Sequence, residues 1–189
     1  MAAPDGGFYT SMGLEERAGK PGIDKRKYAR ETGMAIHAVV AYYEATGDAS
    51  AMALAKRAAE WAIAERGLAD GGFRHAQAVS GGPYLSDSLA MAQAFVSLYR
   101  ASAERHWLAR AAATADFIAR TFVEPQTDGF LNAQRPAASV AGKPIKQRED
   151  NVAAVRLFNQ LWHLTGRAGF RELAEAGMGY LASPAVMDA

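Results

Sequence analysis

Three acidic residues, Glu31, Asp87 and Asp150, stand at matching points of the chain, each followed by a small polar residue (Thr32, Ser88, Asn151) and then a long apolar run. Carboxylates gathered at one place can divide the work of glycoside chemistry, one giving a proton and the other acting as base or nucleophile. At the start of a helix the same side chains have a simpler task. There they accept backbone N–H bonds and face the positive end of the helix dipole, for about 1 kcal/mol each. A carboxylate fed by N–H groups has its charged form favoured, which suits a base or cation ligand better than a proton donor. The residue types alone allow both readings.

A second polar series lies six residues further on, at His37, Gln93 and Arg156, followed by Glu44, Arg100 and His163, with Ser97, Asn159 and Gln160 between them. Spacings of three, four and seven put such residues on one helix face, where they either line a central site or hydrogen-bond between neighbouring helices. Near the expected helix entrances stand Tyr28, Arg30, Phe73, His75 and Tyr84. They supply a histidine that can act as a base and rings that can stack on sugars, so they join the candidate substrate-binding set. The four histidines are scattered without His-x-x-x-His or acidic-loop spacing, and GxSxG, P-loop and GxGxxG patterns are absent, so the sequence implies no metal and no cofactor.

The elements that must position these groups come from a repeat. The segments ETGMAIHAVVAYYEATGD, DSLAMAQAFVSLYRASAE and DNVAAVRLFNQLWHLTGR start at residues 31, 87 and 150 and align without a gap. Thr46, Ser102 and Thr165 mark a corner in each. The aromatics Trp61, Phe117 and Tyr180 follow at equal distance in a second helical segment. The first segment of each unit is apolar nearly all round and must be covered on most faces, whereas SAMALAKRAAEWAIAERG is amphipathic and can face water. The pattern predicts inner helices near 31 to 45, 87 to 101 and 150 to 164, with outer helices near 49 to 66, 105 to 122 and 168 to 182, the inner set being the more buried. Asp5-Gly6-Gly7-Phe8, Asp70-Gly71-Gly72-Phe73 and Asp128-Gly129-Phe130 are turn sequences in the returning loops, with the Phe placed to pin each loop. One all-α domain over 1–189 follows, an (α/α) toroid of which about three hairpin units (5–69, 70–127, 128–189) are present. Tetratricopeptide and armadillo solenoids have shorter units.

Composition narrows the function classes. The chain has 189 residues, half of them apolar, with 21 Lys and Arg against 20 Asp and Glu for a net charge of +1. It has no long basic run, which argues against nucleic acid and anionic lipid. The absence of cysteine removes disulfides, thiol nucleophiles and thiolate metal sites. No leader-like start or membrane-length apolar stretch is visible, and the expectation is a soluble, cytoplasmic protein.

The segments DGGF, GIDKRKYARETGMAIHAVVAYYEATGD, GLADGGFRHAQ, GGPYLSDSLAMAQAFVSLY and REDNVAAVRLFNQLWHLTG resemble the helical region of thioredoxin domain-containing proteins of the spermatogenesis-associated family. The resemblance covers almost the whole chain and implies a six-hairpin, glycosidase-like toroid related to those of N-acylglucosamine 2-epimerases and unsaturated glucuronyl hydrolases. It implies a sugar-binding or sugar-processing fold, hydrolase-like or epimerase-like, without transferring catalytic residues. The thioredoxin-like part is not in this sequence, and three hairpins are half a toroid. Two functional classes are therefore carried forward: a carbohydrate-processing domain, and a non-catalytic helical module. An apolar flank is expected, covered by the remainder of a longer chain or by a second copy of this one.

Overall fold

The computed structural model describes residues 2–17, 20–77, 82–124, 127–134 and 144–187. A two-stranded antiparallel ribbon, β1 (Ser11–Arg17) and β2 (Lys20–Asp24), leads into a helical hairpin of α1 (Ala29–Thr46) and α2 (Ala49–Arg66). A second hairpin follows, α3 (Leu85–Ser102) and α4 (Arg105–Phe122), and then a short ribbon of β3 (Val123–Glu124) and β4 (Thr127–Phe130). The third hairpin is α5 (Arg148–Thr165) and α6 (Ala168–Leu181), with a single turn α7 (Pro184–Met187) after it. Helices α1, α3 and α5 lie side by side in one layer, and α2, α4 and α6 run back outside them. The result is the expected (α/α) arrangement.

Each corner is made by the same local chemistry. Thr46, Ser102 and Thr165 donate their hydroxyls to the carbonyls of Tyr42, Leu98 and Leu161 at 2.8, 2.7 and 2.6 Å. Their oxygens then accept the N–H groups of Asp48, Glu104 and Arg167 two residues on. Between them Gly47, Ala103 and Gly166 adopt left-handed φ of 72°, 59° and 71°, so the chain turns in one residue. The hydroxyl thus ends one helix and receives the first amide beyond the turn.

The returning loops are held by a second repeated device. Phe8, Phe73 and Phe130 are buried. In the second and third units the backbone N–H of the Phe donates to the first-turn polar residue of the next inner helix, Phe73 to Ser88 Oγ (3.2 Å) and Phe130 to Asn151 Oδ1 (2.7 Å). The preceding loop glycine lies flat against the outer-helix aromatic. A Cβ on Gly7, Gly72 or Gly129 would come within 2.9 Å of Trp61, Phe117 or Tyr180. That contact accounts for the common spacing of Trp61, Phe117 and Tyr180.

Burial departs from expectation at one place. In the middle hairpin the inner helix is the more buried, with eleven residues of α3 shielded against seven of α4. In the first hairpin the order reverses: only Ala29, Thr32, Gly33, Ile36 and Val40 of α1 are buried, against eight residues of α2. Helix α1 packs on α2 and α3, and its remaining side faces solvent. Between α1 and α3 the backbones approach so closely that a Cβ on Gly33 would stand 2.6 Å from the carbonyl carbon of Ala90.

Candidate functional site

The starts of the inner helices meet at one end of the molecule. The N-cap residues of α1, α3 and α5 are Tyr28, Tyr84 and Gln147, and none of them makes a side-chain capping bond. Loop carbonyls fill in: His75 O accepts from Ala29 N at 3.1 Å, and Asn132 O accepts from Leu85 N at 2.9 Å. Each returning loop therefore closes over the start of the inner helix one unit back.

Asp87 is the centre of this end. Its side chain is fully buried, and Oδ1 accepts the Arg30 N–H at 3.0 Å. The residue thus caps the neighbouring helix α1, where capping of its own helix α3 was expected. The two carboxylate oxygens lie 3.1 and 3.2 Å from His75 Nδ1. The His75 ring stacks on Tyr28 (centroids 4.4 Å apart, 9° between planes) and meets Tyr84 edge-on at 5.9 Å. Two rings and a carboxylate fix the imidazole while 39% of its side chain stays exposed.

The electrostatics reverse the expectation that helix-start acids have their charged form favoured. Burial pushes the Asp87 carboxyl above its ordinary range, and the contact with His75 and the Arg30 N–H opposes the rise without cancelling it. Asp150 is raised as well, again by burial first, with the Arg30 guanidinium pulling the other way and Glu149 adding to the rise. Glu31 adds a smaller push on Asp87, and its own Oε2 is buried without a hydrogen-bond partner. Asp87 and Asp150 are thus both tied to Arg30, with Glu31 near Asp87 at the same end of the fold, and the two aspartates hold protons more firmly than free carboxyls do.

The other candidates separate. Phe73 is 3% exposed and packs its ring on Phe95 at 5.9 Å, which places it in the core and not among groups that can meet a sugar. His37 Nδ1 lies 2.7 Å from Ser97 Oγ, and Gln93 Nε2 reaches the Ala153 carbonyl at 3.5 Å, so these two bridge successive inner helices. Arg156 is exposed on the outer edge of α5. Further along, Arg100, Asn159, Gln160 and His163 line a recess of about 230 Å³ with Val96 and Leu164. Two contributors went unrecognised in sequence reasoning: the bond from Asp87 to the neighbouring helix, and the loop-pinning role of Ser88 and Asn151. Only the second had a signal, a small polar residue at one register position in every unit.

The comparisons with known proteins agree with this architecture. Similarity to the solved structure of cellobiose 2-epimerase from Spirochaeta thermophila extends over 96% of this chain and 48% of that one, with 17% identity and a TM-score of 0.75. The GH76 α-mannanase of Bacteroides thetaiotaomicron gives 16% identity and a TM-score of 0.68, over 89% of this chain and 50% of that one. An inactive α-1,6-mannanase GH76A of Salegentibacter, solved with α-1,6-mannotriose, gives 14% and 0.70 over 83% and 47%. The chain spans about half the length of these structures, which share its (α/α) six-hairpin fold. A comparison with curated proteins gives no match. No helix among the described residues is long and apolar enough to cross a membrane. Residues 23–178 match the model of the β-L-arabinofuranosidase GH127 catalytic domain, a span running from β2 into α6, and the chain belongs to that family.

Proposed function

We propose that the starts of α1, α3 and α5 form an acid–base site for a carbohydrate. The observation that carries this reading is the half-exposed His75, held by the buried Asp87 and stacked on Tyr28, with the burial-raised Asp150 at the start of another inner helix and near Arg30. Asp87 is shielded from solvent and acts through His75 as a positioning residue. It orients the ring and favours a proton on Nδ1, which leaves Nε2 as the basic atom. Asp150 keeps its proton to higher pH than a free carboxyl and is suited to give it to a departing sugar oxygen as the bond to carbon breaks, while His75 takes a proton from the attacking water. For an epimerase-like reaction the same pair would remove and return a proton on carbon. Tyr84, 37% exposed, offers a ring edge at the same end. The likeness to the helical region of thioredoxin domain-containing proteins adds a finer proposal, that this domain works beside a thioredoxin-like one.

The test is a binding and turnover panel of L-arabinofuranosides, α-1,6-mannotriose and cellobiose, run on the wild-type chain and on His75→Ala and Asp150→Asn. The reading expects an NMR-detected or calorimetric binding response from at least one sugar, lost or weakened at least tenfold in both variants while the helical signal is kept. Unchanged sugar response in both folded variants defeats it, and leaves Asp87 with a purely structural task in holding α1 to α3.

A further inference from the structure

The polar stripe on the inner helices divides into two halves with different partners. Near the helix middles it is bonded: His37 Nδ1 meets Ser97 Oγ, Gln93 Nε2 donates to the Ala153 carbonyl, and Ser97 Oγ donates to the carbonyl of Gln93. Seven residues beyond Gln93 the same face of α3 carries Arg100, and α5 carries Asn159, Gln160 and His163 at three, four and seven beyond Arg156. These four side chains are exposed and make no hydrogen bond or ion pair among the described residues. With Val96 and Leu164 they line the recess of about 230 Å³ between the C-terminal parts of α3 and α5.

That recess collects donors and excludes acids. A guanidinium has five N–H donors, each side-chain amide two and an imidazole at least one, while no carboxylate is among the lining residues. The free carbonyls of a helix end would ordinarily oppose an anion and draw on nearby cations. Here they are already satisfied by the corners: Leu98 O and Leu161 O accept from Ser102 Oγ and Thr165 Oγ1, and Tyr99 O and Trp162 O accept from the N–H groups of Ala103 and Gly166. Other cations near the corners are neutralised, Lys56 by Glu104 and Arg167 by Asp116. Arg100 has no such carboxylate. Beneath these polar groups Val96, 2% exposed, supplies an apolar floor.

We infer that this recess binds the phosphate group of a small ligand. A guanidinium saturates both oxygens of a carboxylate by itself, whereas a phosphate keeps a further oxygen for the amides of Asn159 and Gln160 and the ring N–H of His163. The volume is below the roughly 300–1,000 Å³ of drug-sized pockets, which limits the ligand to free phosphate or a phosphate on a short carbon frame resting on Val96 and Leu164. The recess is separate from the acid–base site. Asp87 and Arg100 stand thirteen positions apart on α3, about 20 Å along the helix, so the inference does not depend on the carbohydrate reading.

The test is a titration with inorganic phosphate, glucose 6-phosphate and glucuronate at fixed ionic strength, followed through the methyl NMR signals of Val96 and Leu164. Both phosphates should shift these methyls saturably, with glucuronate weaker by about tenfold or more, and the imidazole signal of His75 should stay in place. Arg100→Gln and Gln160→Glu, both at exposed positions, should each weaken the phosphate response by about tenfold or more with circular dichroism unchanged, and either one serves if the other fails to fold. Equal affinity for the two phosphates identifies the free anion as the ligand, and tighter binding of glucose 6-phosphate identifies a phosphorylated sugar. Four results would overturn the proposal: no saturable shift at millimolar phosphate, a response that survives both substitutions, glucuronate binding as tightly as phosphate, or shifts centred on His75 instead of Val96 and Leu164.

Discussion

Helices α1 and α3 carry the same repeat, begin and end at equivalent residues and are equally apolar in sequence, yet one is half bare and the other is the most buried element of the molecule. The difference lies in neighbours. Among the described residues α3 has an inner helix on each side, and α1 has one on a single side. A residue at a given register position therefore carries structural weight only where the adjoining unit is in place, and pairs of equivalent substitutions can measure that weight.

The largest contrast should come from Ala94→Glu against Ala38→Glu. Ala94 is fully buried, so a carboxylate there is both oversized and unpaired, and a loss of about 4 kcal/mol or outright unfolding is expected. Ala38→Glu, in solvent, should change the stability of the single chain by less than about 0.5 kcal/mol. Urea denaturation at low micromolar concentration reads both, and similar costs would mean that α1 is covered in solution.

Gly33→Ala tests the close approach of the two helices. With Ala90 backbone atoms 2.6 to 2.7 Å from the new methyl, α1 must shift away from α3, at a cost of about 2 kcal/mol. Since Arg30 N and Asp87 are one turn away, the shift should also disturb the His75 ring, visible as a changed imidazole NMR signal. A Gly33→Ala variant more stable than wild type, as helix propensity alone would give, would show that the approach is looser than described.

A smaller contrast sits at the first-turn polar position. Ser88 satisfies the buried Phe73 N–H, so Ser88→Ala should cost about 1 to 2 kcal/mol. Its counterpart Thr32 is fully buried with an Oγ1 that has no partner, so Thr32→Val should be neutral or stabilising. Thermal unfolding of the two variants decides it, and an equal loss in both would remove the distinction between the units.

The smallest effect is in pH. Burial raises Asp150, so the fold favours its protonated form. Its contribution to stability is fully present below the ordinary value of 3.8 and is lost as pH rises through the raised value. Relative to wild type, Asp150→Asn should therefore gain stability as pH goes from 4 to 7, read from denaturation midpoints. Asp48, lowered by its bonds to Ser50, should behave oppositely and at lower pH: its contribution is present above the ordinary 3.8 and is lost as pH falls through the lowered value, so Asp48→Asn should gain on wild type as pH falls below about 4.

What the sequence alone determined was periodic. Helix positions, the two layers, the corners at Thr46, Ser102 and Thr165 and the grouping of Glu31, Asp87 and Asp150 at one end all follow from side-chain type repeating at fixed intervals, because each unit builds the same local contacts. What the tertiary structure decided was whatever depends on the unit next door. Asp87 binds the backbone of α1 instead of its own helix, and burial from several elements at once raises its carboxyl where helix-start amides alone would lower it. Phe73, a ring as suited to a sugar as Tyr28 by type, turns inward onto Phe95, while Tyr28 stays at the surface against His75. Met34 and Ala90 hold the same place in the pattern, and Ala90 is in the core because α1 packs over it, while no described helix lies over Met34. Local interactions repeat with the sequence; desolvation and contact between units are set by what surrounds each copy, and no single segment encodes them.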